Sequence, residues 1–118
     1  LCDWKTLVNW QFERAAQAPD RLKYMMQKLI MSMDGFRPWF LKDPRMCLTL
    51  PAWLNLLEAP VAVIVYRNPH EIALSLGNRD GLSSQYAMAL WEYYAVGMLN
   101  NTRHMPRIFV SHEDMLSA

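Results

Sequence analysis

The chain has 118 residues, 53% of them apolar, with 12 Lys or Arg against 11 Asp or Glu for a formal charge of +1. That length suits one domain with a sizeable core. The scattered, nearly balanced charge offers no field for nucleic acid. The apolar runs are only a handful of residues long, too short to span a bilayer, and two Cys and three His without ligand spacing suggest no metal site.

Leu1 to Ala16 reads as an amphipathic helix whose apolar members are Trp4, Leu7, Val8, Trp10 and Phe12. Leu1-Cys2-Asp3-Trp4 has neither a basic n-region nor an apolar h-region, so no secretory leader is expected there and a cytoplasmic location is. Pro19-Asp20 starts a clearer helix, in which Leu22, Met25, Met26, Leu29, Ile30 and Met33 follow the 3.6-residue period and Gly35 is the stop signal. Trp39 to Lys42 then reads as a short strand terminated by Pro44, and Cys47 lies in an apolar run as a buried thiol. Pro51 to Glu58 is expected as a short helix. Val61 to Tyr66, apolar and rich in β-branched residues, reads as a strand buried on both faces of a parallel sheet.

A helix from Pro69 to Arg79 follows, with Ile72, Leu74 and Leu76 as apolar contacts. Ser83 then caps a long helix to about Asn100 that carries Ala87, Leu90, Trp91, Tyr94 and Met98 on one face. Arg107 to Val110 is the last strand. Strands separated by helices imply an α/β fold with right-handed crossovers, and ligands in such sheets bind beyond the carboxyl ends of the strands. Lys42, Arg67 and Ser111-His112 all fall at such expected ends. Asn100-Asn101-Thr102 has the form of a glycosylation acceptor, a triplet common by chance.

The stretch from Val61 to Gly81 is the richest in chemistry. A β run ends on Arg67, Asn68 occupies an N-cap position, Pro69 suits the first helical turn, and Glu71 lies where the helix dipole favours negative charge. Free N–H groups at a helix start beside a guanidinium attract phosphate, and Ser75 adds a hydroxyl donor farther along. An Arg at a strand end also serves as a surface ion-pair partner, and a helical Ser as a small packing residue. Matching segments elsewhere in the chain weigh against that simpler reading.

Arg67-Asn68-Pro69, with Ser75 eight positions after the Arg, resembles the 3′-phosphate-binding segment of the sulfotransferases that use 3′-phosphoadenosine 5′-phosphosulfate (PAPS). Upstream, Trp39-Phe40-Leu41-Lys42-Asp43-Pro44-Arg45 and Leu50-Pro51-Ala52-Trp53 resemble the KDPR segment of bacterial-type members and the Leu-Pro-x-Trp that follows it. Downstream, Ala89-Leu90-Trp91-Glu92-Tyr93-Tyr94 is similar to the family's ALW-x-x-Y helix, and Arg107 to Leu116 to its strand ending in Ser-Tyr-Glu-Asp-Leu, with His112 in place of the Tyr. Each motif alone is weak; four in order are fairly specific.

The resemblance implies a P-loop NTPase-like three-layer sandwich with a parallel sheet, residues 1–118 forming a partial domain from its centre. It implies sulfuryl transfer from PAPS, as cosubstrate, to a hydroxyl acceptor on a carbohydrate or small metabolite, without metal. Arg67 and Ser75 would then bind the 3′-phosphate, and Lys42 would stand near the leaving phosphate. A surface Lys at a strand end is an equal alternative for Lys42. The family's glycine-rich 5′-phosphosulfate loop is not in this sequence, where Gly occurs only at positions 35, 77, 81 and 97. The isolated chain is accordingly expected to have little or no activity. Pro44 stands where the family's cytosolic branch has its His base; Asp43, His70 and His112 are weak substitutes, and none is assigned. Two rivals are a noncatalytic α/β nucleotide-binding or scaffold module with a degenerate site, and a nucleotide-kinase-like protein sharing architecture only. Trp91, Tyr93 and Tyr94 read as core packing rather than a base-stacking platform.

Overall fold

In the computed structural model, which describes residues 18–118, the first helix, α1, runs from Asp20 to Asp34. The helix expected over Leu1 to Ala16 lies outside the described residues. Contacts divide the chain into two compact units, Leu1–Ala59 and Pro60–Ala118.

In the first unit, α1 starts at Pro19, whose carbonyl accepts the Lys23 N–H, and Asp20 supplies a negative charge to its first turn. Met26 and Ile30, one turn apart, are its buried residues, whereas Leu22, Met25 and Leu29 of the same expected stripe are exposed. Gly35 follows α1 in a right-handed conformation (φ −69°), so the stop does not depend on glycine's access to positive φ. Asp34 instead anchors the exit. It accepts the Trp39 indole N–H at 3.0 Å and pairs with Arg37 at 3.0 Å, and Arg37 also reaches Glu58 at 2.7 Å.

Residues 39–42 form no strand, contrary to the sequence expectation. The segment has the apolar composition of a strand but pairs with nothing among the described residues, and Phe40 is exposed. The next helix also starts earlier than expected. Asp43-Pro44-Arg45 makes a tight turn, with the Met46 N–H bonded to the Asp43 carbonyl at 2.9 Å, and helix α2 runs from Met46 to Trp53. Pro51 lies inside α2 rather than at its start, and a single 3-10 turn, Leu54–Leu56, ends the segment where a helix to Glu58 was expected. Leu48 and Leu50 are the buried residues of α2. Ala59 closes the unit at φ 47°, a left-handed conformation unusual for a residue with a Cβ.

The second unit is built on two strands, β1 (Ala62–Tyr66) and β2 (Arg107–Ser111), paired in parallel from Ala62 with Arg107 to Tyr66 with Ser111. They are the only strands among the described residues. The crossover between them holds helix α3 (Pro69–Asp80) and helix α4 (Ser84–Thr102), which pack on each other with small residues, Ala73 and Ala87, at buried positions. Ser83 caps α4 by accepting the Tyr86 N–H, as its position suggests. Gly81 ends α3 at φ 67°, donating its N–H to the Gly77 carbonyl at 2.9 Å, the left-handed ending that glycine permits without penalty. Arg107, at the start of β2, donates to the Leu99 carbonyl near the end of α4.

β1 is not buried on both faces. Ile64 is 4% exposed, but Val63 and Val65 on the other face are 63% and 51% exposed, and Ile108, the cross-strand neighbour of Val63, is 56% exposed. The cause is topological. A parallel sheet is covered on both sides only when crossovers place helices on both, and here one crossover carries both helices of the connection. A short third helix, α5 (His112–Ser117), follows β2 directly.

Candidate functional site at the carboxyl end of the first strand

β1 hands over to α3 through Arg67 and Asn68. The Asn68 carboxamide oxygen accepts the His70 N–H at 3.0 Å, Pro69 opens the helix, and the Asn68 carbonyl takes the Ile72 N–H at 3.2 Å. Because Pro69 has no N–H and that of His70 is taken, the helix start presents fewer open donors than its sequence suggests. Arg67 turns back onto the first turn: its Nε donates to Glu71 Oε2 at 2.6 Å. Both side chains are well exposed to solvent, so the pair contributes at most about 0.2–1 kcal/mol.

Ser75 lies one turn beyond Glu71. With Ala73 buried, Glu71, Leu74, Ser75 and Asn78 form the outward stripe of α3. Leu74 is exposed there, so it does not make the apolar contact expected of it. The Ser75 hydroxyl is exposed and without a hydrogen-bond partner among the described residues. Arg67, Glu71 and Ser75 thus follow one another at four-residue intervals, with the carboxylate in the middle. The Arg67–Glu71 contact was legible as an i,i+4 pair of opposite charges, a signal that an account of Glu71 through the helix dipole alone misses.

The second strand ends at the same edge. Tyr66 pairs with Ser111, so Arg67 and His112 follow paired residues. Ser111 caps α5 by accepting the Asp114 N–H at 3.4 Å. This helix start was not expected, although Ser111-x-x-Asp114 is a capping-box pattern. His112 occupies the first position of α5, half-buried.

Lys42 belongs to the other unit. It is exposed and, with no strand over residues 39–42, does not stand at a strand end. Its neighbour Asp43 is committed to Arg45, accepting the backbone N–H and Nε of that residue on Oδ1 at 2.9 Å each and Nη2 on Oδ2 at 2.7 Å. The bidentate fork holds the Asp43 carboxyl below the usual carboxylate range. A carboxylate so stabilised is a poor proton acceptor near neutral pH, and a short Asp-Pro-Arg turn readily closes such an ion pair. Cys47 is half-buried, and desolvation pushes its thiol upward, away from the reactive thiolate.

The aromatic group of α4 is packing. Ala87 and Leu90 are buried, Trp91, Tyr93 and Tyr94 are partly so, and the two Tyr rings meet edge to face at 6.2 Å. Thr102 of the Asn-Asn-Thr triplet is buried in the last turn of α4, its hydroxyl donating to the Met98 carbonyl at 2.8 Å.

The fold therefore defines an α/β protein whose described sheet is a parallel pair, with a cation, a carboxylate and a hydroxyl in a row where β1 passes into α3. The chain matches no protein-family model, no curated protein and no solved structure.

Proposed function

We propose that this chain is the central part of a PAPS-dependent sulfotransferase, in which Arg67 and Ser75 hold the nucleotide 3′-phosphate. One observation carries the reading: Arg67 stands at the carboxyl end of a parallel strand, and the Ser75 hydroxyl, without a hydrogen-bond partner among the described residues, lies on the same helical stripe as the residue that Arg67 touches. Ligands of parallel α/β sheets bind beyond such strand ends. The larger architecture would be the P-loop-like three-layer sandwich. The bare Val63, Val65 and Ile108 face agrees with it, because a second helical layer belongs on that side. A cytoplasmic location belongs to the same proposal; among the described residues no helix is long and apolar enough to cross a membrane.

The reaction would be an in-line displacement at sulfur, with a hydroxyl of a carbohydrate or small metabolite attacking as the bond to the nucleotide phosphate breaks. Negative charge grows on the bridging oxygen, and a cation beside it lowers the barrier. Lys42 is the residue proposed for that role, as an exposed cation beside a carboxylate already neutralised by Arg45. No base is assigned, since the same pairing weakens Asp43 for proton abstraction.

The experiment is titration calorimetry with 3′,5′-adenosine bisphosphate. Arg67→Ala removes a charge-assisted contact and should weaken binding by roughly 1.5–3 kcal/mol. Equal affinity in the variant removes Arg67 from the site. A noncatalytic nucleotide-binding or scaffold module is the second reading, favoured by the lack of a glycine-rich phosphate loop in this sequence. Binding of the bisphosphate without sulfuryl transfer from PAPS to any hydroxyl acceptor, measured on the protein with its native flanking sequence, would select it.

A further inference from the structure

We infer that Glu71 is a built-in competitor for the anion, occupying the ground that a phosphate held jointly by Arg67 and Ser75 must cover. This inference rests on the 3′-phosphate reading above. Its basis is the order of the groups along α3. Arg67 precedes the helix, Glu71 lies in the first turn, and Ser75 lies one turn farther on the same stripe. About 6 Å of axial rise separates Glu71 from Ser75. An anion bound only by the terminal nitrogens of Arg67 leaves Glu71 in place. One that also reaches the Ser75 hydroxyl lies across the Glu71 side chain, whose carboxylate already accepts a hydrogen bond from Arg67 Nε at 2.6 Å.

Two consequences follow for recognition. Like charges at that separation repel, so the carboxylate must swing into solvent before the phosphate seats. Glu71 has the freedom to do so, because it is well exposed and its one hydrogen bond among the described residues is to Arg67. The carboxylate also keeps the guanidinium partly neutralised while the site is empty, which disfavours weakly charged anions and leaves the site to a group of the charge density of a phosphate monoester. Glu71 is in this sense a specificity-determining residue. It need not touch the bound phosphate.

The test is calorimetric titration of 3′,5′-adenosine bisphosphate into the 118-residue chain and its Glu71→Gln, Arg67→Ala and doubly substituted variants, each first checked for an unchanged far-ultraviolet spectrum. Glu71→Gln keeps the size of the side chain and one acceptor oxygen, removes the charge and exchanges the other oxygen for an NH2 donor, and Glu71→Ala, which adds no donor, serves as its control. It should tighten binding about two- to fivefold, the range set by one exposed ion pair. That gain should vanish in the Arg67→Ala background, where there is no cation to compete for. If the wild-type chain binds and Glu71→Gln binds equally or more weakly, the inference is overturned and the phosphate site stands, with Glu71 serving to orient the guanidinium. If neither wild type nor Glu71→Gln binds, the phosphate reading falls and the inference falls with it. Glu71→Ala is the second variant should the Gln form unfold, with the same direction expected.

Discussion

Replacing Asn68 with Ala separates the fold of the strand-to-helix junction from its chemistry. Asn68 contributes one side-chain hydrogen bond, to the His70 N–H at 3.0 Å, while its backbone carbonyl accepts the Ile72 N–H whatever the side chain is. Pro69 has no N–H to satisfy, so the substitution exposes a single donor, and the loss should be about 1 kcal/mol, the middle of the range for N-caps. The other two capped helices scale this expectation. Ser83 holds the Tyr86 N–H at 3.3 Å and Ser111 the Asp114 N–H at 3.4 Å, both longer and weaker bonds. Ser83→Ala should therefore cost about 0.5 kcal/mol. Ser111→Ala should cost still less, because α5 has six residues and none is buried. Urea unfolding followed by circular dichroism reads the series, as shifts in midpoint at constant slope. A loss for Ser83→Ala or Ser111→Ala as large as that for Asn68→Ala would refute this ranking of the caps. Loss of 3′,5′-adenosine bisphosphate binding in Asn68→Ala would refute it too, since the variant frees a backbone donor at the helix start.

The uneven burial of β1 makes a second contrast. Ile64→Ala removes a side chain that is 4% exposed and should destabilise by about 2–5 kcal/mol, whereas Val63→Ala on the bare face should cost under about 0.5 kcal/mol; a large loss at Val63 in the same urea assay would show that this face is covered in solution. Asp43 gives a pH dependence. Its carboxyl is held below the unfolded value by Arg45, so its contribution is present above the unfolded carboxylate range and fades as pH falls through the lower, folded value. Arg45→Met should raise the Asp43 pKa, measured by NMR titration of the side-chain carboxyl, and flatten the acid limb of stability. An unchanged Asp43 titration would refute the pairing in solution.

Much of the helical order was legible because its signals are local. Pro19-Asp20 at the start of α1, Asn68-Pro69 at the start of α3 and Ser83 before α4 each mark a boundary through backbone groups within four residues. The left-handed Gly81 likewise ends α3 one residue beyond the expected Arg79. The ion pair in Asp43-Pro44-Arg45 is equally local. The turn it forms also starts α2, and that start was missed because Pro51 looked like a first-turn proline.

The apolar runs at residues 39–42 and 62–66 look alike as sequence, yet only the second became a strand, because a strand needs a partner and β2 lies more than forty residues away along the chain. The row from Arg67 through Glu71 to Ser75 has the same double origin. Four-residue spacing and the i,i+4 pairing of Arg67 with Glu71 are local, but the open Ser75 hydroxyl depends on which face of α3 is buried. Composition, caps and turn chemistry therefore sufficed to determine where the principal helices of the second unit begin and end and which residue types meet at the end of β1. Tertiary structure alone decided which apolar run pairs and which face of the sheet stays bare. Backbone propensity acts over a turn or two of chain, whereas pairing and burial are settled by residues distant in sequence.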